Sequence, residues 1–436
     1  SYYGAKSSSP EHVEEFLSSV ATETLNKLKE EGCIEIDEND DVHASILGKA
    51  TSEYYLNHRT AKQMQFGLRE CAKMILLEKP SIDKETEGKV NNKLALRPLL
   101  RSSRLEEVSI AWLLYTLCCT HEFDELPVRH NEDLLNEELS ESVMWGADTS
   151  AVMSTDGKSG YIDSEVYGNS HTKGFLLVQA YLERAKLPIS DYINDSKTVM
   201  DNVPRLLAAM QFVASQEESR DGSFDVLCQL VRTKQLISNR STLKINPGTQ
   251  LAGVNESAFD ALMNKLNTPK KNLSHADKRK ENTLWKLRQF SRNNVTEALK
   301  KCRKGTFKMA LHKTLESLYT MPLITVIEGK IYHEIDKTTG RSMGTLKLSL
   351  QVGREESRKD NFTTLTLVLG SFEHQKLLAC SDLPISKNGS WTIQKQLQFD
   401  WKTANADGGE DGGRVVLRLL LDSVRGLDSE IVLALN

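Results

Sequence analysis

The 436-residue sequence has no long hydrophobic run: its most apolar stretch, Ile110–Cys119, falls far short of the roughly 20 residues that span a bilayer. No charged-then-apolar signal segment follows Ser1. The cysteines number seven, an odd count with no framework spacing. The adjacent Cys118 and Cys119 sit in apolar sequence, where buried free thiols are common. These absences exclude a membrane partner and a disulfide scaffold and favour a reducing compartment, nucleus or cytosol. Without a secretory route, the glycosylation-type triplets at Asn361 and Asn388 carry no weight.

Catalytic motifs are equally scarce. Asp156-Gly157-Lys158-Ser159 ends like a phosphate loop, but Val152 stands where the first glycine is needed, so no cradle of amides follows. Ser170 and Lys173 have a Ser-x-x-Lys spacing with no second motif beside it. His121-Glu122 lacks the second histidine of a zincin, and no Cys/His cluster has zinc spacing. His130 reads as a packing or capping residue rather than a catalytic one. Nothing supports an enzyme or a resident cofactor in this chain.

What is present is ordinary globular composition, with 39% hydrophobic and 27% charged residues, and length enough for about three domains. The net charge of −4 is unevenly spread. Residues 1–43 hold three Lys against eleven acids, while residues 265–308 hold fourteen Lys or Arg against three acids. Such asymmetry can direct different partners to different faces, although charge blocks often do no more than solvate a surface.

Periodicity divides the chain into four parts. Ser9-Pro10 caps a helix with a stripe at Val13, Phe16, Leu17, Val20, Thr24 and Leu28; the run Cys33–Ile36, the turn Asp37–Asp41 and a helix near Gly48–Asn57 complete a winged-helix order over residues 1–60. Its acidity favours packing over reading duplex nucleic acid. Residues 61–235 read as a helical bundle with insertions near 78–104 and 146–170. The expected helices are Leu105–Cys119, Asn131–Val143, His171–Lys186, Pro204–Ser215 and Phe224–Arg232. Residues 236–320 are basic and helical, and Leu251–Asn255 is a degenerate helix-hairpin-helix turn with Asn255 in place of its second glycine. In residues 321–436 strict alternation, clearest over Trp391–Trp401, predicts about seven strands, Ile324–Ile327 and Ile331–Ile335 among them, and a β-sandwich.

One region points to binding. Lys278, Arg279, Lys280, Lys286, Arg288 and Arg292, then Lys300, Lys301, Arg303 and Lys304, are interleaved with Trp285, Phe290 and Phe307. Phosphates want cations, and unstacked bases want aromatic faces worth ~1–3 kcal/mol each. The competing reading has Trp285, Leu284 and Phe290 in a core, with the cations on a solvated face.

Two stretches, Phe123–Asp133 (FDELPVRHNED) and His171–Met210, resemble segments of the Sec63-homology unit that follows the motor domains in large tandem-cassette superfamily 2 helicases. The order of parts over nearly the whole chain is similar: winged helix, helical bundle with a ratchet helix, helix-hairpin-helix, then a fibronectin-like sandwich. Ser1-Tyr2-Tyr3 resembles the Ser-Tyr-Tyr after the second RecA domain, and Leu421–Asp428 resembles the family's closing strand without its tyrosine. Within the family, Pro127–Asp133 and Lys197-Thr198-Val199-x-Asp201 look most like the activating signal cointegrator complex helicases, with the spliceosomal helicases second. The resemblance implies a non-catalytic accessory unit behind an upstream helicase cassette, where ATP and Mg would bind. It implies single-stranded RNA or DNA as ligand, and other subunits of a ribosome-rescue, repair or spliceosomal complex as partners. A translocon subunit is disfavoured by the lack of a span and of a His-Pro-Asp motif. By the same resemblance Arg205 lies on the ratchet helix against the strand. Pro204 beside it must start or kink that helix, and a start would put Arg205 in the first turn, where the dipole favours an anion.

Overall fold

The computed structural model describes residues 9–77, 96–99, 104–147, 164–216, 220–267, 283–302, 311–335, 340–355, 363–372, 374–385, 389–405 and 413–435. Ser1-Tyr2-Tyr3, Asp156–Ser159, Lys278, Arg279, Lys280, Arg303, Lys304 and Phe307 lie outside them. The chain forms two compact units, each gathered from three stretches. One comprises Ser1–Glu70, Trp112–Gln179 and Leu187–Gln216; the other comprises Cys71–Ala111, Ala180–Lys186 and Glu217–Asn436. Among the described residues no helix is long and apolar enough to cross a membrane.

The first unit opens with helix α1 (Pro10–Glu30), the antiparallel strands β1 (Ile34–Ile36) and β2 (Val42–Ala44), helix α2 (Ile46–Glu53) and helix α3 (His58–Leu77). Ser45 caps α2 by accepting from the Gly48 amide. Helices α4 (Arg104–Cys118), α5 (Glu132–Ser142), α6 (Ser170–Glu183) and α7 (Asp191–Gln216) follow, with residues 71–77 of α3, 104–111 of α4 and 180–183 of α6 belonging to the second unit. The short strand β3 (Arg97–Pro98), before α4, belongs to the second unit. Phe175, Leu176, Leu177 and Val178 are consecutive and all fully buried, so α6 is a central helix rather than a half-exposed one. Phe175 meets Tyr115 edge-on at 5.5 Å and stacks on Trp145 at 6.3 Å.

Helix α7 corrects one expectation. It does not begin at Pro204 but runs from Asp191 through the proline to Gln216, with Val199, Val203, Leu206, Met210 and Val213 buried. Pro204 lies on the exposed side of the helix, where its ring faces water rather than core. His130 is a second correction: it is exposed, beside Asn131, whose left-handed backbone (φ 65°) leads into α5.

In the second unit, helices α8 (Ser223–Asn239), α9 (Glu256–Leu266), α10 (Leu284–Gln289), α11 (Arg292–Lys301) and α12 (Leu311–Tyr319) precede the sheets. Strands β4 (Leu323–Ile335), β5 (Ser342–Arg354), β6 (Thr363–Ser371), β7 (Leu377–Ile385), β8 (Gly389–Asp400), β9 (Arg414–Leu421) and β10 (Ser429–Ala434) follow, with the short helix α13 (Trp401–Asn405) between β8 and β9. They form antiparallel sheets in the orders β4-β5-β8 and β3-β10-β9-β6-β7. Leu346, Leu350 and Leu397 of the first sheet and Leu365, Leu419 and Ile431 of the second share one core with Phe259, Leu262 and Leu287 of the helices. At Gly370 a Cβ would lie 2.3 Å from the Phe224 ring, so α8 reaches β6 only because that residue is glycine.

The C-terminal region does hold seven described strands, though not the seven expected. Ile324–Ile327 and Ile331–Ile335 belong to one strand, β4, interrupted by a bulge between Val326 and Glu328. β7 was hidden because Leu377–Ile385 does not alternate and contains Pro384, a residue its edge position tolerates. The strand expected to reach Trp401 stops at Asp400, whose carboxylate accepts from the Thr403 amide and hydroxyl. The expected closing strand around Leu421–Asp428 is largely the turn between β9 and β10, with Gly426 in the left-handed region at φ 84°.

Candidate nucleic-acid interface

The two informative sequence stretches meet in the first unit as a buried cluster of charge. Lys173 of α6, 0% exposed, donates from Nζ to Glu132 Oε2 at 2.6 Å, Asp195 Oδ2 at 2.7 Å and the Pro127 carbonyl at 2.7 Å. Arg129 closes the cluster from the surface side, donating to Glu132 Oε1 at 2.8 Å and to both oxygens of Asp195 at 2.7 and 3.1 Å. The Tyr192 ring lies 4.5 Å from the Lys173 ammonium, and its hydroxyl donates to Asn136 Oδ1 at 2.7 Å. Burial alone would raise the two carboxyls. The bonds from Arg129 and Lys173 outweigh it, so Glu132 and Asp195 sit below the ordinary carboxylate range. Every charge has a counter-charge and hydrogen bonds, as burial demands. The cluster therefore ties α5, α6 and α7 and the Pro127–Arg129 segment together. Sequence reading did not find it; the only signal was opposite charge in the two stretches.

Arg205, half-buried on α7, faces the segment after α2. Its Nη1 donates to the Tyr54 carbonyl at 3.1 Å and the Tyr55 carbonyl at 2.6 Å, and Nη2 donates to Asn202 Oδ1 at 2.8 Å. It pairs with no acid there. On the other side of this segment Glu122 accepts from the Asn57 amide at 3.1 Å and the Thr60 hydroxyl at 2.6 Å.

The described part of the basic block divides in two. Arg288, 7% exposed, donates to the Met321, Tyr319 and Gly353 carbonyls at 3.0, 3.4 and 3.3 Å and lies over the Tyr319 ring at 4.9 Å. Burial lowers its pKa from the usual arginine value. These interior partners correct the expectation that it faces a strand: it holds α10 to the sheet below. Trp285 is partly buried against the same core, as the competing reading had it, and Arg292 is ion-paired with Glu355. Lys300 and Lys301, by contrast, are exposed in the last turn of α11. Lys265, exposed in the last turn of α9, is near enough to Cys302 for its charge to act on that thiol. Among the described residues these three lysines form no ion pair. Ahead of α9, Gly253 takes the left-handed conformation (φ 74°) and Asn255 caps the helix through the Ala258 amide, so the Asn in the degenerate turn is an N-cap.

Among the described residues no group of three or more His, Cys, Asp or Glu could hold a metal ion. All seven cysteines are free, Cys118 being buried and Cys119 partly so.

Comparison with known proteins places this scaffold. The Sec63 Brl domain family matches residues 100–433. Activating signal cointegrator 1 complex subunit 3 of Dictyostelium discoideum is 30% identical over 237 residues, 54% of this chain and 8% of that protein. Its Homo sapiens counterpart is 31% identical over 218 residues, 50% of this chain and 8% of that protein. The RQC trigger complex helicase SLH1 of Saccharomyces cerevisiae is 28% identical over 265 residues, 59% of this chain and 11% of that protein. The matched region is thus a small part of much longer proteins, and the helicase resemblance of the two stretches is borne out. This chain belongs to the Sec63 Brl domain family.

Proposed function

We propose that the chain is a non-catalytic accessory unit of an ATP-dependent nucleic-acid helicase, guiding a single strand of RNA or DNA where it leaves the motor. In this reading residues 1–60 are the winged helix, α7 is the ratchet helix, the turn before α9 is the helix-hairpin-helix element, and the two C-terminal sheets are the sandwich. ATP and Mg belong to an upstream cassette, and the site of action is the nucleus or cytosol. The observation that carries the reading is the set of exposed cations at the ends of α9 and α11, Lys265, Lys300 and Lys301, which form no ion pair among the described residues. Arg303 and Lys304 follow immediately in sequence, and Lys278–Lys280 precede α10. Exposed cations without acid partners are what a phosphate backbone recruits. Arg205 adds to this, because two of its five N–H donors are not used by its three bonds to Tyr54, Tyr55 and Asn202.

The test is fluorescence anisotropy with a labelled single-stranded RNA of about 20 nucleotides across a salt series. For single strands the slope of log K against log salt is about −0.7 per phosphate contact, so a Lys265→Gln, Lys300→Gln, Lys301→Gln variant flattens it by about 2. An unchanged slope in that variant removes this surface from the proposal.

One observation favours a second reading, a scaffold that docks other subunits of a ribosome-rescue, repair or spliceosomal complex. No residue of the 21-residue helix α1 is buried among the described residues, and Val13, Leu17 and Val20 expose an apolar stripe on an acidic helix. If this helix does the docking, Leu17→Glu abolishes pull-down of partner subunits and leaves RNA binding intact.

A further inference from the structure

We propose that Tyr55 is a stacking platform for one unpaired base of the strand, a site that rests on the single-strand reading above. Helix α2 ends in a turn that places Tyr55 in the left-handed region, φ 51°. The Leu56 amide bonds back to the Thr51 carbonyl at 2.9 Å, closing the helix end. This position favours glycine, or asparagine, because a Cβ there is strained. The ring gains nothing from the core either, since Tyr55 is 86% exposed. Neither the backbone nor the packing of this fold asks for tyrosine at that point, and strain held at an exposed aromatic is the mark of a functional position.

The surroundings make it a built site. Tyr54, the residue before, turns its ring inward to within 6.0 Å of Phe212, so two adjacent tyrosines separate into an anchor and a presented face. Arg205 grips both carbonyls from α7, and Glu122 holds Asn57 and Thr60 on the other side. The backbone that carries the ring is thereby fixed before any ligand arrives, which limits the ordering cost of binding. Arg59, exposed in the first turn of α3, supplies a cation next in the chain; Lys62, also exposed, donates to the Glu30 carbonyl at 3.1 Å and approaches Glu31 at 3.3 Å. A π face with cations a few residues along the chain suits a base flanked by phosphates.

The experiment uses Tyr55→Asn in the whole chain. Asparagine tolerates the left-handed turn, so the variant is expected to melt at the same temperature as the parent or higher. Affinity for single-stranded RNA is expected to fall by about 5- to 100-fold, while Tyr55→Trp retains it. Replacing single nucleotides by abasic ones along the oligonucleotide is expected to weaken the parent at one position and to leave Tyr55→Asn unaffected there. If the parent binds RNA and Tyr55→Asn binds it equally well, the platform is refuted and the accessory-unit reading stands; loss of a protein partner in that variant would then assign the ring to a protein. If the parent binds no single strand at all, both ideas fail.

Discussion

Arg205 has a structural role beside the proposed one, and this decides how it should be tested. Its guanidinium satisfies the Tyr54 and Tyr55 carbonyls, so truncation to alanine removes hydrogen bonds as well as any phosphate contact. Loss of binding in Arg205→Ala is therefore interpretable only beside its melting temperature. Asp428 offers a cleaner experiment at the same scale. It is buried, accepts from the Leu421 amide at 3.1 Å and from Gln235 Nε2 at 2.9 and 3.1 Å, and burial pushes its pKa up to about 6. A carboxyl raised above its unfolded value of roughly 3.9 contributes stability below about pH 4 and loses it as the pH rises through about 6. Asp428→Asn is thus expected to raise the melting temperature at pH 7.5 and to change it little at pH 4; a loss at pH 7.5 would mean that the ionised form is wanted. The sequence carried this aspartate only as part of the tail motif. Its burial depends on Gln235 and Leu421, which no local pattern reveals.

Among the elements, α7 was half legible. Its buried positions Val199, Val203, Leu206, Met210 and Val213 keep helical spacing, yet Pro204 argued for a boundary. Tertiary packing on both sides of the proline overrides a local cost of about 3 kcal/mol. Pro204→Ala is expected to stabilise the protein by about 1–3 kcal/mol in denaturant melts; destabilisation would show that the packing of α7 requires the proline. The link between α6 and α7 is the stronger structural commitment. Lys173→Met leaves Glu132 and Asp195 facing each other with Arg129 alone, and breaking such a buried pair costs about 3–5 kcal/mol. The loss should be evident in urea melts at pH 7, where both carboxylates are ionised. It should shrink in acid, as the pH falls through their lowered pKa values. Equal loss at both pH values would deny the cluster its electrostatic role. The strands were legible wherever one face is buried, as in β5 and β8, and illegible in β7, buried at its start and irregular thereafter.

For the molecule as a whole, the charge asymmetry was plain in the sequence but its use was not. Within the basic stretch, the fold takes Arg288 into the interior and pairs Arg292 with Glu355, while Lys265, Lys300 and Lys301 stay exposed with no ion pair among the described residues. Sequence spacing cannot make that division, because it depends on which helix faces meet the sheets. Composition likewise gave no hint that the acidic α1 would keep its apolar stripe unburied. In the proposed function the chain grips a single strand through those cations. The salt dependence of RNA binding to the whole chain and to the Lys265, Lys300, Lys301 glutamine variant checks this. Binding is expected to weaken steeply with salt, with a slope about 2 shallower in the variant. Binding that ignores salt, or a variant indistinguishable from the parent, would overturn the proposal.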